Sequence, residues 1–261
     1  MTPAIDFEIT PGFLRQSYVN NKFSFGNPEA SLTVCLIGSC RIVPILNFLR
    51  VYNHYNGHPL EILCFDAVEC WPGPGLTISD GVNARMKGYS FGTVDFLVCE
   101  HLENCGVLNT KKDSTENIFD SLGMSPNTVI RLPNWNAMFM YDSETAEAYP
   151  EYAALNTADR VINLRDRTLA CKARYLSYCA ETQFTGLSEW VIDNWNTTRL
   201  GWTNNHPSLP LTRQIINGIL KTMNIEITDE MSAHPFLVND MCKGTHTTLG
   251  PVDYAANNWK F

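Results

Sequence analysis

Two side chains in this sequence have the types of a nucleophile and its base: Cys40, in the tetrad Gly38-Ser39-Cys40-Arg41, and His206, in TNNHPS. A thiol placed where a strand ends and a helix begins meets the helix dipole and free backbone N–H groups. Both favour a thiolate, and the N–H groups can hold an oxyanion. The chemistry such a site performs is nucleophilic acyl transfer. Gly38 permits the close backbone turn. The same four residues also allow a plainer arrangement, in which Ser39 caps the helix and Cys40 packs against a sheet. His206 precedes a proline, which pushes it out of the helical region and onto an extended loop before the helix from Leu209. An ordinary surface histidine fits that local sequence equally well.

Other residues surround this pair as binding candidates. Glu100, His101 and Asn104 follow an apolar segment; they are placed to bind substrate, with Asn104 as an oxyanion donor, and ordinary loop polarity explains them as well. Arg41, beside a helix N-terminus, is the better anion-binding candidate. Arg160, Arg165, Arg167, Lys172 and Arg174 stand against Asp159 and Asp166 in one helical segment, either a phosphate-docking face or a solvated face with intrahelical pairs. Trp71 and Trp135 lie just past strand ends, to stack on a ring or to pack in the core. No P-loop, no GxGxxG and no metal-ligand spacing is present, so no metal is expected.

These residues need a scaffold to bring them together. Leu32 to Ile37 is a short apolar run ending at Gly38, and Ile42 to Tyr52 follows at helical spacing: a strand, a turn and a helix. LEILCFD (60 to 66), TVDFLVCE (93 to 100) and NTVIRLP (127 to 133) read as further strands, each followed by loop and helical material. Continuous apolar strands separated by helices predict a parallel sheet covered on both faces. Beyond residue 140 the chain reads as helical. Residues 158 to 180 carry Val161, Leu164, Leu169, Ala173 and Leu176 at helical spacing, and 187 to 195 and 209 to 223 are further helices. Pro210 fits only the first turn of the last. Residues 1 to 30 and 234 to 261 read as an irregular N-terminal arm and C-terminal tail around a core of 31 to 233.

Composition bounds the function. The 261 residues hold 19 basic and 27 acidic side chains, a net charge of −8, which argues against a broad basic face for nucleic acid and leaves room for a local basic patch. No apolar stretch is long enough to span a membrane, and the N-terminus lacks the pattern of a signal peptide, which predicts a soluble cytoplasmic chain. Nine cysteines, an odd number without close pairs, argue against a disulfide framework. Eight read as buried small hydrophobes, and Cys40 is set apart by its position.

The order of these segments resembles the WcbI-type capsular polysaccharide biosynthesis proteins, within the SGNH/GDSL-like hydrolase and acyltransferase plan. That family's first strand ends in a Gly-Asn-Cys-Gln-like turn, where this chain has GSCR. VDFLVCE, NTVIRLPNWNAMFMY and TNNHPSLPLTRQIINGIL follow in the family's order, so the resemblance covers roughly residues 32 to 225. It implies an SGNH-like (flavodoxin-like) three-layer α/β fold. It also implies coenzyme A-linked acyl transfer or ester chemistry on a glycan hydroxyl, with Cys40 as nucleophile and His206 as base. The hydrolase plan has an aspartate three residues before its histidine, where this chain has Thr203. An orienting carboxylate then comes from Asp193 or Glu100, or is absent. That departure leaves a second reading: an inactive structural or assembly protein, such as a particle, virion or surface component, gripping neighbours with its terminal arms.

Overall fold

The computed structural model describes residues 24–26, 29–38, 40–57, 59–66, 92–100, 123–135, 137, 139–202, 206–232 and 248–261, and at 24–26, 40, 65, 66, 230 and 232 the backbone alone. The chain divides into two units, Met1–Leu132 with Ile219–Asn239, and Pro133–Gly218 with Asp240–Phe261.

The first unit is organised by β2, Leu32–Gly38. Its consecutive residues Val34, Cys35, Leu36 and Ile37 are all fully buried. Successive strand side chains point to opposite faces, so both faces of the sheet are covered at this strand. Four strands run parallel in the order β3 (Leu60–Asp66), β2, β4 (Gly92–Glu100), β5 (Met124–Leu132), and β1 (Ser24–Gly26) adds an antiparallel edge on β3. The fold is α/β, with a mainly parallel sheet flanked by helices, of the flavodoxin-like kind.

All four expected strands form, with two differences at the edges. β5 begins at Met124 and runs through Pro126, which the sequence places outside the strand; an edge strand tolerates a residue without an N–H. The span read as an irregular arm contains β1, whose three residues are too few to show a period.

The helix after β2 starts later than its apolar pattern. Cys40–Ile42 forms a single 3-10 turn, and α1 runs Val43–Tyr55 with Pro44 in its first turn. Pro44 lacks an N–H, which a first turn does not need. Ile42 occupies the N-cap without a side-chain cap, so the helix does not begin on Ser39. At the far end Asn53, 2% exposed, donates to Leu60 O at 2.7 Å and accepts from Leu60 N at 2.9 Å, fixing the return into β3.

The second unit is helical: α2 (Asp142–Ala148), α3 (Pro150–Ala153), α4 (Thr157–Glu181), α5 (Leu187–Asn194), α6 (Leu209–Thr222, whose last residues fall in the first unit) and α8 (Pro251–Asn257); α7 (Asp229–Ser232) belongs to the first. Asn156 caps α4 by accepting from Asp159 N at 3.1 Å. The buried stripe of α4 is Leu164, Thr168, Cys171, Tyr175 and Cys179, which shares only Leu164 with the expected Val161, Leu164, Leu169, Ala173 and Leu176. Leu169 is 56% exposed. The helix carries two stripes at the same period, and the one facing inward is the less apolar.

The end of the chain differs from the irregular tail expected of it. α8 forms over Pro251–Asn257, and Trp259 is buried, stacked near Tyr141 and Phe261 at ring separations of 5.7 and 5.3 Å. Asp253 joins α8 to α2 by accepting from Asp142 N at 2.6 Å, and it also accepts from Gly250 N at 2.8 Å at the start of its own helix.

Candidate active site

In an open parallel sheet, ligands bind beyond the carboxyl ends of the strands where the strand order reverses. Here the chain leaves β2 for β3 on one side, then crosses back to place β4 on the other. The reversal therefore lies between the ends of β2 and β4, at Gly38 and Glu100. Cys40 opens the turn that emerges from that point.

Arg41, the second residue of the turn, reaches across the gap. Its Nη2 donates to Glu100 Oε2 at 2.8 Å, and the side chains are only 10% and 3% exposed. A guanidinium and a carboxylate at this distance form a charge-assisted hydrogen bond that binds the turn to the end of β4. Gly38 makes this approach feasible. A Cβ on it would stand 2.5 Å from Ile42 Cγ2 and 2.9 Å from Glu100 Cγ and Cδ, so the glycine is required by crowding rather than by an unusual φ. The structure thus brings Gly38, Arg41, Glu100 and the backbone of Cys40 to one place. Glu100 faces Arg41 here, a partner that the sequence, which offered substrate or His206, did not give it.

Among the described residues, the thiols of Cys35, Cys64, Cys99, Cys171 and Cys179 are buried and outside any disulfide. Burial pushes Cys35 well above the ordinary thiol range and Cys179 up to about 12. Cys171 is also raised by burial, and its Sγ donates to Ala137 O at 2.9 Å. Such thiols are poor nucleophiles at neutral pH.

His206 lies in the second unit, half-buried on a loop immediately before α6, as its proline neighbour requires. The loop is closed by Trp202 N donating to His206 O at 2.9 Å and by an antiparallel bridge between Gly201 and Pro207. Its base rests on aromatic rings. Tyr141 OH donates to Gly201 O at 2.9 Å, and a Cβ on Gly201 would fall inside the Trp135 indole. Trp135 itself is 2% exposed and packs on Tyr175 and Trp195, so it supports the histidine loop from the core instead of offering a face to a ligand.

Three of the five basic residues of α4 have partners within their own unit. Arg160 pairs with Asp142 through Nε at 3.0 Å and Nη2 at 2.7 Å, Arg167 lies over the Tyr149 and Tyr152 rings, and Lys172 lies over Trp195. Asp193 is exposed on α5. Ser39, Trp71, His101, Asn104 and Thr203 lie outside the described residues, as do 1–23 and 233–247 of the two ends. Among the described residues no group of His, Cys, Asp or Glu is arranged to hold a metal, and no helix is long and apolar enough to cross a membrane.

No protein-family model matches the sequence, and no curated protein does. Among solved structures, WcbI matches with a TM-score of 0.54 at 12% identity, over 88% of this chain and 80% of its own. The chain shares its fold with WcbI. WcbI is described as a novel polysaccharide biosynthesis enzyme, and that structure as the native protein without a disulfide bond between coenzyme A and one of its cysteines. At 12% identity the likeness to WcbI establishes a distant structural relationship and the fold.

Proposed function

We propose that this protein is a distant relative of the WcbI-type enzymes that transfers an acyl group through Cys40, with coenzyme A as the donor's carrier and a glycan hydroxyl as acceptor. The observation that carries this reading is the position of the Cys40 turn at the strand-order reversal, held there by Arg41 and Glu100. The coenzyme A and cysteine named for WcbI add support for the donor.

In this reading the Cys40 thiolate attacks the carbonyl carbon of an acyl thioester, and the coenzyme A thiolate leaves as the carbonyl re-forms, taking up a proton. The acceptor hydroxyl then attacks the Cys40 thioester while His206 takes its proton. Collapse of that intermediate yields the ester and returns Cys40. Backbone N–H groups of the 40–42 turn and the first turn of α1, with Asn104, hold the oxyanion in both halves. Cys40 is expected to react with iodoacetamide at neutral pH much faster than the buried thiols, and to accumulate an acyl adduct from acyl-coenzyme A that Cys40→Ser lacks. Uniform slow labelling of all the cysteines would remove the support for this function.

One observation favours the second reading, a structural protein that keeps the fold without the chemistry. The buried charges at the site satisfy each other, as they would in an inert core. In that case Cys40 labels slowly, and removing residues 1–23 changes self-association or partner binding.

A further inference from the structure

The Arg41–Glu100 pair is almost wholly withdrawn from water, at 10% and 3% side-chain exposure, one residue after Cys40. Two buried opposite charges are seldom more stabilising than apolar side chains of the same volume, so packing alone gives no reason for them. Gly38 is fitted to this corner as well, since a Cβ there would stand 2.9 Å from the Glu100 carboxyl carbon and 2.5 Å from Ile42 Cγ2. Three positions, at the ends of two neighbouring strands and in the turn that leaves the first of them, are thus brought together around opposed charges beside the turn that bears the thiol.

We propose that Glu100 is a positioning residue that acts through Arg41, and that the two opposed charges together set the thiolate content of Cys40. The proposal rests on the Cys40 reading above. The guanidinium favours the thiolate. The carboxylate disfavours it, and by holding the guanidinium it cancels most of its field. Among the described residues, the other titratable positions at this end of the sheet are Asp66, in register with Gly38, Cys99, in register with Ile37, and Arg131, in register with Cys99. The first turn of α1 contributes no acidic residue.

The test is the alkylation rate of Cys40 by iodoacetamide in the full chain, resolved by peptide mass spectrometry across pH, for wild type, Glu100→Gln, Arg41→Gln and the double variant. Glu100→Gln, which leaves the positive charge uncancelled, is expected to speed the reaction at about pH 7 by about three- to ten-fold and to lower its pH midpoint; Arg41→Gln is expected to slow it by a similar factor and raise the midpoint. The double variant, neutral at both positions, returns close to wild type. A clamp that acts through shape alone gives the opposite pattern. Both single variants then move in the same direction and the double variant is no better, which overturns the proposal, as does an unchanged midpoint in all three. Protection of Cys35 and Cys99 in the same digest reports whether each variant is folded. Should Arg41→Gln unfold, Arg41→Lys replaces it; retaining the charge, it is expected to keep the wild-type midpoint, and a displaced midpoint overturns the proposal. A wild-type Cys40 that labels no faster than its neighbours defeats the acyl-transfer reading instead, while the signs of the variant shifts still judge the charge pair.

Discussion

Glu100 shows how much one buried charge depends on its partner. With 3% of its side chain exposed, it has little water to fall back on when Arg41 is removed. Arg41→Met is therefore expected to cost about 3–5 kcal/mol of folding stability, the usual penalty for an uncompensated buried charge. Adding Glu100→Leu to that variant should restore most of the loss, since the apolar pair needs no counter-charge. Equilibrium urea unfolding of the two variants measures this, and a double variant less stable than Arg41→Met would contradict it. The sequence identified both residues but not their partnership. Their types suggested anion binding and substrate binding separately, because a pairing over 59 positions depends on which strands are neighbours. Gly38 was read as a turn glycine, whereas its requirement comes from crowding by Ile42 and by the Glu100 side chain, the latter a contact no local pattern contains.

At the scale of elements, the docking of α8 turns on Asp253. This carboxyl is 1% exposed, and burial raises it above its usual 3.8 despite the N–H groups of Asp142 and Gly250 that favour the charged form. The folded chain then holds the proton more tightly than the unfolded chain does. Stability contributed by this group falls as pH rises from 3.8 through the raised folded value, and is level above it. Asp253→Asn removes that titration, so the stability of wild type relative to the variant should decline as pH rises above 3.8 and then level off. Urea unfolding at stepped pH checks the sign, and a relative stability that climbs with pH would refute it. The strands were legible because LTVCLIG, LEILCFD and DFLVCE are continuous apolar runs of strand length, and burial on both faces produces that signature. α8 was not legible. Its seven residues are short, and its hold on the unit comes from one carboxylate and from Trp259, neither of which carries a period. The same limit applied to α4, where a polar-looking stripe won the interior over Leu169 and Leu176 because Tyr175 and the two cysteines fit the neighbouring surface.

For the whole molecule, the packed C-terminus bears on the part of the second reading that makes the tail an arm. An assembly arm can be cut without cost to its own domain, but Trp259 is 9% exposed and closes an aromatic group with Tyr141, Tyr254 and Phe261. Ending the chain at residue 247 should destabilise the protein by at least the roughly 3–5 kcal/mol typical of losing one buried tryptophan. Thermal unfolding reads this loss, and an unchanged transition would return the segment to the role of an arm. The order of strands has a consequence for how the molecule comes into being. β4 lies beside β2 although β3 is made between them, so the partner of Arg41 is synthesised 59 residues later. Until β4 has emerged and crossed back over the first strand pair, the guanidinium lacks the Glu100 carboxylate and the Cys40 turn lacks that tie to β4. Long-range parallel pairing of this kind is slow to form. The Arg41–Glu100 pair is therefore completed late in folding, after the apolar strand that leads to it is already in place.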